Sequence, residues 1–367
     1  MNRLEPALRG VLLAGGAQLL FMDRLPKHAV VNESVKLAAA MVRPGAKGLV
    51  NAVLRRCGDL RGESETCDWL PDAGVLPVHD GVVRLNEKCL PDTHDLGRYL
   101  HVATGHPLNL VNDWLEQFDR DTTIALCHHG IINAPTIVAV ELGFDETSNE
   151  LWRSHDENGF VIWGGSHEQL VSFLAGHRDR RVQDPASSRA IGSTVELQPH
   201  IIIDYCAGRG TKTRQLAMHH SGAQVIATEI DSERIVDLRS STESIDNIEV
   251  VEIDALKTKA DLIVLDVPCS NTAVLARRPE ARYRFNDQSI GSLLDKQRDI
   301  VEKILPLLAD KGRILYSTCS LDDRENRQQA AWISGKTGGQ IEREELTLPR
   351  SGASCYRDGS YYALIRT

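Results

Sequence analysis

The run Ile201–Ile202–Ile203–Asp204–Tyr205–Cys206–Ala207–Gly208–Arg209–Gly210–Thr211–Lys212–Thr213 limits what this chain can fold into more than any other stretch. Three branched apolar residues in a row predict a strand buried on both faces. An acid ends the strand, a small-residue loop follows, and Arg214–Gln215–Leu216–Ala217–Met218 begins a helix. Strand, glycine loop and helix in that order aim backbone N–H groups at a ligand. A phosphate-cradling P-loop requires glycine directly before its Lys-Thr pair and again at the loop start, but Thr211 and Cys206 occupy those positions. The dinucleotide fingerprint needs a third glycine at the helix start, which is also missing. The next predicted strand, residues 224–229, ends at Glu229. That acid falls about 20 residues past the loop, where a ribose-binding carboxylate belongs. A nucleoside cofactor without a pyrophosphate fits this pattern, and S-adenosylmethionine is such a molecule.

A net charge of −9 and a pI near 5.8 do not describe a general nucleic-acid binder, so any RNA contact needs a local basic patch. No apolar run is long enough for a membrane span, and the N-terminal residues lack a signal-peptide layout. The eight cysteines show no C-x-x-C spacing, and no zinc or other metal site is expected. A reducing cytoplasmic setting follows as the default, leaving single cysteines available for catalysis.

Along the chain, residues 4–60 carry helical periodicity broken at Pro26 and at Pro44–Gly45. Residues 61–100 are acidic and rich in proline and glycine, with a hairpin expected around Asp80–Gly81. Residues 101–181 mix helix and strand as a small α+β module. From 182 onward, strands alternate with helices, with strands expected at 200–204, 224–229, 249–253, 261–266, 312–318 and 361–366. The expected fold is an open, mostly parallel sheet with ligands at the strands' C-terminal ends.

Two cysteines follow directly on predicted strands, in Asp266–Val267–Pro268–Cys269–Ser270 and in Ser317–Thr318–Cys319–Ser320, which places both at that ligand edge. These segments, Glu325–Asn326, the Asp204–Thr213 loop, Ala276–Glu280, Gln183–Ser187 and Asp358–Ala363 together resemble the Sun-type RNA cytosine-carbon-5 methyltransferases. Near the start, Pro26-x-His28–Ala29 and Lys47–Arg55 resemble the later half of that family's NusB-like helical domain. The resemblance implies an α/β fold: a Rossmann-like S-adenosylmethionine-dependent methyltransferase domain over 182–367. It would be preceded by a shortened NusB-like helical RNA-binding domain (1–60), a linker or hairpin insert (61–100) and a small α+β RNA-binding module (101–181).

The resemblance also implies a site. Cys319 would be the nucleophile and Cys269 would assist product release, with Asp266 and Lys212 beside them. Cys206, Ala207, Gly208, Arg209, Gly210, Thr211 and Lys212 would wrap the S-adenosylmethionine, with Glu229 on its ribose, Asp254 on its adenine and Asp266 near its methionine. Arg277, Arg278, Arg282, Tyr283 and Arg284 form the most basic aromatic stretch of the chain and would contact RNA, the implied substrate being small-subunit ribosomal RNA. A non-catalytic RNA-binding protein that keeps the fold is the alternative. It draws on the altered loop Arg209–Gly210–Thr211, where the family has Pro-Gly-Gly, on a shortened, late-starting first domain and on the acidic net charge. Apolar Val140 and Leu142 stand where the family's polar Arg and Asn are expected. Glu229 also stands where the family more often has Asp.

Overall fold

The computed structural model describes residues 4–141 and 143–367, and within it the chain forms two compact units, divided between Glu116 and Gln117. Leu142 lies outside the described residues.

The first unit starts with three helices, α1 (Pro6–Phe21), α2 (Lys27–Met41) and α3 (Ala46–Leu60). Pro6 opens α1 and Pro26 precedes α2, positions where a missing N–H does no harm. Leu8, Leu12, Leu19, Val30, Val50 and Leu54 form their common core. Gly15 lets α1 approach α3, since a Cβ there would stand 2.6 Å from Leu54 Cδ1. Strands β1 (Arg61–Glu65), β2 (Val75–Val78) and β3 (Gly81–Leu85) follow as an antiparallel sheet in the order β1-β3-β2. The hairpin expected at Asp80–Gly81 is present, with Val78 paired to Gly81. Strand β1, polar throughout as RGESE, carries no periodic signal and was not expected. Helices α4 (Leu96–Thr104) and α5 (Leu108–Gln117) lead to the boundary.

The second unit begins with α6 (Arg120–His129) and a four-stranded sheet built from β4 (Thr136–Ala139), β5 (Trp152–Ser154), β6 (Phe160–Trp163) and β7 (Arg181–Val182), in the order β5-β6-β4-β7. Helix α7 (His167–Leu174) intervenes, opened by a capping box from Ser166 and Gln169. The division between the units places residues 101–116 with the first unit and the β4–β7 sheet with the second.

After α8 (Pro185–Gly192) the large sheet starts. Its elements are β8 (Ile201–Asp204), α9 (Thr211–His219), β9 (Gln224–Ala227), α10 (Ser232–Thr242), β10 (Ile248–Val250), β11 (Ala260–Asp266), α11 (Asp287–Ile304), β12 (Leu308–Thr318), α12 (Arg327–Thr337), β13 (Gln340–Thr347) and β14 (Ser360–Arg366). The order is β10-β9-β8-β11-β12-β14-β13, parallel from β10 to β12, with β14 antiparallel to β12 and to β13. The triple isoleucine splits between two faces as its pattern requires. Ile202 packs with Leu216 of α9 and Ile191 of α8, while Ile203 packs with Val301 of α11 and Ile333 of α12. Each such side chain, fully buried, contributes roughly 1.5–3 kcal/mol. Strand β13 was not expected, because its sequence QIEREELT is too charged. It forms the sheet edge, where Glu342 pairs with Arg313 at 2.8 Å and Glu344 with Arg327 at 3.0 Å.

Candidate active site

Strands β8, β11 and β12 are neighbours, so the loops leaving their C-terminal ends meet. Asp266 at the end of β11 pairs in register with Ser317 near the end of β12, and Ser317 Oγ donates to Asp266 Oδ1 at 3.1 Å. The cysteine-bearing loops therefore leave the sheet side by side. Cys269 Sγ and Cys319 Sγ lie 3.2 Å apart as free thiols, and the Cys319 backbone N–H donates to Cys269 Sγ at 3.3 Å.

A polar frame fixes both loops. The buried Glu325 carboxylate accepts from Ser270 N–H at 3.0 Å, from Ser270 Oγ at 2.5 Å and from Gln297 Nε2 at 3.1 Å. Asn326 accepts from Thr318 Oγ1 at 2.6 Å and donates to Ser320 O at 2.9 Å. Burial pushes the Glu325 carboxyl above its usual range, against these hydrogen bonds. Asn271 was not singled out in the sequence. Its φ is +60°, a conformation that asparagine tolerates better than most residues. Its Nδ2 donates to Cys269 O at 2.8 Å, which leaves Oδ1 to accept from Cys319 Sγ at 3.1 Å. The polar turn Ser270–Asn271–Thr272 was the only sequence signal for it.

The two thiols are not equivalent. The hydrogen bond with Cys319, together with burial, pushes the Cys269 thiol up and holds it protonated. Cys319 instead lines a cavity of about 400 Å³ bounded by Cys206–Arg209, Thr211, Lys212 and Asp266. Lys212 Nζ meets Asp266 Oδ2 at 2.8 Å. Burial alone would lower the ammonium's pKa, but Asp266, with Cys319 and Asp204 adding to it, outweighs burial and raises it. Cys206 is driven up by burial and by the surrounding carboxylates, so it is a neutral wall of the site.

The glycine loop keeps its geometry despite the unusual residues. The two left-handed positions are Gly208 (φ +58°) and Gly210 (φ +89°). Thr211 is the first residue of α9, where a β-branched side chain has an allowed conformation. Arg209 is 76% exposed and pairs with Asp237 at 2.9 Å. Glu229, on the loop after β9, accepts from Gly208 N–H at 2.9 Å and from Asp231 N–H at 3.0 Å. Asp254 is exposed on a short 3-10 turn, Ile253–Ala255. Among the described residues, Gly210, Glu229 and Asp254 do not line the Cys319 cavity.

The basic stretch divides. Arg277 donates to Asp358 Oδ2 at 2.5 Å and to Pro135 O at 2.9 Å, and its guanidinium lies over the Tyr356 ring. Arg282 is half-buried and donates to Gly130 O. Arg278, Tyr283 and Arg284 face outward. Of a second basic group, Arg180 is bound to Glu141 and Arg181 is buried against Gln183. Val140 is buried in the apolar cluster with Trp163.

Residues 194–342 match the family described as 16S rRNA methyltransferase RsmB/F, and residues 1–59 match the NusB family. The chain is similar to the RsmB/F family over residues 194–342. The Ribosomal RNA small subunit methyltransferase B of Erwinia tasmaniensis is 26% identical to it over 393 residues, covering 100% of this chain and 83% of that protein. The protein of the same name from Vibrio cholerae is 27% identical over 399 residues, covering 97% and 80%. The crystal structure of a methyltransferase homolog protein from Pyrococcus horikoshii shares the fold, with a TM-score of 0.59 at 18% identity over 74% of this chain and 99% of its own.

S-adenosylmethionine is the cofactor of an RsmB/F methyltransferase, and the residues present fit it. Asp204 is fully buried; its Oδ2 accepts from Thr213 Oγ1 at 2.7 Å, while its Oδ1 has no hydrogen-bond partner among the described residues. Beside it, the loop at Gly208 has open space where a side chain would stand. An unsatisfied buried acceptor next to a glycine opening suits a ligand that carries an ammonium group. Among the described residues, no cluster of His, Cys, Asp or Glu could hold a metal ion, and no helix is long and apolar enough to cross a membrane.

Proposed function

We propose that this protein transfers a methyl group to carbon 5 of a cytosine in small-subunit ribosomal RNA, using Cys319 as a covalent nucleophile. The observation that carries the reading is a thiol pair 3.2 Å apart, one member of which opens onto a cavity bounded by the glycine loop. Carbon 5 of cytosine is a poor nucleophile. Addition of the Cys319 thiolate to carbon 6 shifts the ring's electrons onto carbon 5. S-adenosylmethionine supplies the methyl group that carbon 5 takes up. Loss of the carbon-5 proton then restores the double bond and expels the thiolate from carbon 6. Cys269, held as a neutral thiol, gives the departing Cys319 sulfur a hydrogen-bond partner.

In this reading, Lys212 and Asp266 act as a pair. The carboxylate holds the ammonium in place, and the ammonium balances the negative charge that Cys319 carries during the reaction. The cofactor is held by Cys206–Lys212, with Asp204 available to its ammonium group and Glu229 and Asp254 serving its ribose and adenine. Arg278, Tyr283 and Arg284 meet the RNA, and Arg277 and Arg282 support them from within. The helical segment 1–60 and the module at 101–181 add RNA contacts. The setting is cytoplasmic, which keeps the two thiols reduced. The alternative of a non-catalytic protein loses its main motive, because both left-handed positions of the cofactor loop are still glycine. The test is methyl transfer from labelled S-adenosylmethionine to unmodified small-subunit ribosomal RNA. Incorporation at a cytosine by the wild type, absent in Cys319→Ala, is the expected result; equal incorporation by both would overturn the reading.

A further inference from the structure

A second cavity, of about 600 Å³, opens beside the thiol pair. Ala281, Phe285, Ile290 and Leu293 give it an apolar floor, and Cys269 closes its inner end. Asn286, Gln288, Ser289 and Ser292 supply a polar rim along the start of α11. Asn271 walls both this cavity and the one that Cys319 lines. Since Cys269 and Cys319 touch at 3.2 Å, occupants of the two cavities would be immediate neighbours.

The segment 277–285 runs from one cavity to the other. Arg278 lines the first and Arg284 the second, with side chains 62% and 66% exposed, and Tyr283 between them is 89% exposed. Among the described residues, both arginines have only Glu280 as an ion-pair partner within reach, at 3.9 and 3.7 Å. Exposed pairs of that length hold little energy, so a phosphate can displace them. An apolar floor with a hydrogen-bonding rim suits an unpaired nucleobase, and cations between two such pockets suit the phosphate that links two nucleotides. In a chain of net charge −9, a local track of this kind is also the form an RNA contact must take.

We infer that the second cavity receives the base of the nucleotide adjacent to the target cytosine, so that the enzyme reads two consecutive unpaired nucleotides. This rests on the RNA cytosine-5 reading above. The test first maps the methylated cytosine in a small-subunit ribosomal RNA transcript. RNA fragments are then prepared with an abasic site on the 5′ side, on the 3′ side, or three positions away. With wild-type enzyme, one adjacent abasic site should lower kcat/KM by about tenfold, the size of one lost base contact, and the distant one should leave it unchanged. Ser292→Trp, which fills the cavity from an exposed helical position, should lower kcat/KM on intact RNA similarly and respond no further to the abasic site. Gln288→Trp serves as the second filling variant, and S-adenosylmethionine binding reports that each variant is folded. If neither adjacent abasic site matters, or if both filled variants methylate intact RNA as the wild type does, the subsite is overturned while the cytosine-5 reading stands. If the wild type methylates no cytosine, both fall.

Discussion

Cys269 Sγ lies 3.2 Å from Cys319 Sγ although 50 residues separate them in the chain. The contact exists because Asp266 and Ser317 are paired across adjacent parallel strands, so that each cysteine follows its strand at nearly the same height. One thiol lines the cavity bounded by the glycine loop and the other is buried beside it, which is the division of labour expected of a nucleophile and an assistant.

That division is separable by substitution. Cys319→Ala should lose methyl transfer by at least about 10³-fold, as removal of a covalent nucleophile does. Cys269→Ala should instead add to RNA and fail to release it. A protein–RNA band that survives denaturing electrophoresis is expected with Cys269→Ala alone, and its absence would detach Cys269 from product release.

Asn271 ties the two thiol loops together, and glycine at this position removes the amide without straining a φ of +60°. Asn271→Gly should therefore stay folded and bind S-adenosylmethionine normally while forming the RNA adduct about tenfold more slowly, the equivalent of one lost hydrogen bond. Rapid-quench measurement of adduct formation, set beside cofactor titration, separates this effect from simple destabilisation.

The cofactor loop makes a paired prediction. Gly210→Ala puts a Cβ 2.9 Å from Leu238 Cδ1 at a φ of +89°. It should cost about 1–2 kcal/mol of stability and weaken cofactor binding. Thr211→Gly, which restores the residue more usual in the family, should change cofactor affinity by no more than about twofold, because Thr211 already sits in a helix. Calorimetric titration of both variants checks this.

Two buried groups contribute to the pH dependence of stability with opposite signs. Burial raises Asp204 from 3.8 to about 7, so the native state holds its proton more tightly than the unfolded chain does. Its contribution is complete below the unfolded value and is lost as pH rises through about 7. Burial lowers His129 from 6.5 to about 4, so its contribution is present above 6.5 and is lost as pH falls through about 4. Asp204→Asn should lessen the decline between pH 3.8 and about 7 in a denaturation series and leave in place the loss that His129 causes toward about 4. It should also weaken S-adenosylmethionine binding, since Oδ1 is the acceptor without a partner.

Much of this was legible in the sequence, for physical reasons. Ile201–Ile203 had to be a strand with both faces covered, and the two cysteines had to leave neighbouring strand ends once the parallel order was accepted. Strands β1 and β13 were not legible, because at an exposed edge charged side chains are compatible with pairing and apolar alternation disappears. The arginine stretch was only half legible. Composition marks Arg277 and Arg282 as basic but does not show that Asp358 and the Gly130 carbonyl occupy them. Asn271 was least visible, since its role depends on a backbone angle and on two loops remote in sequence.

Glu325 and Asn326, consecutive in the chain, brace both cysteine loops, one through Ser270 and the other through Thr318 and Ser320. The spacing between the sulfurs is thus settled when the unit folds. An incoming pyrimidine meets a fixed two-point gauge, and the entropy of arranging it is spent once per folding event instead of once per turnover.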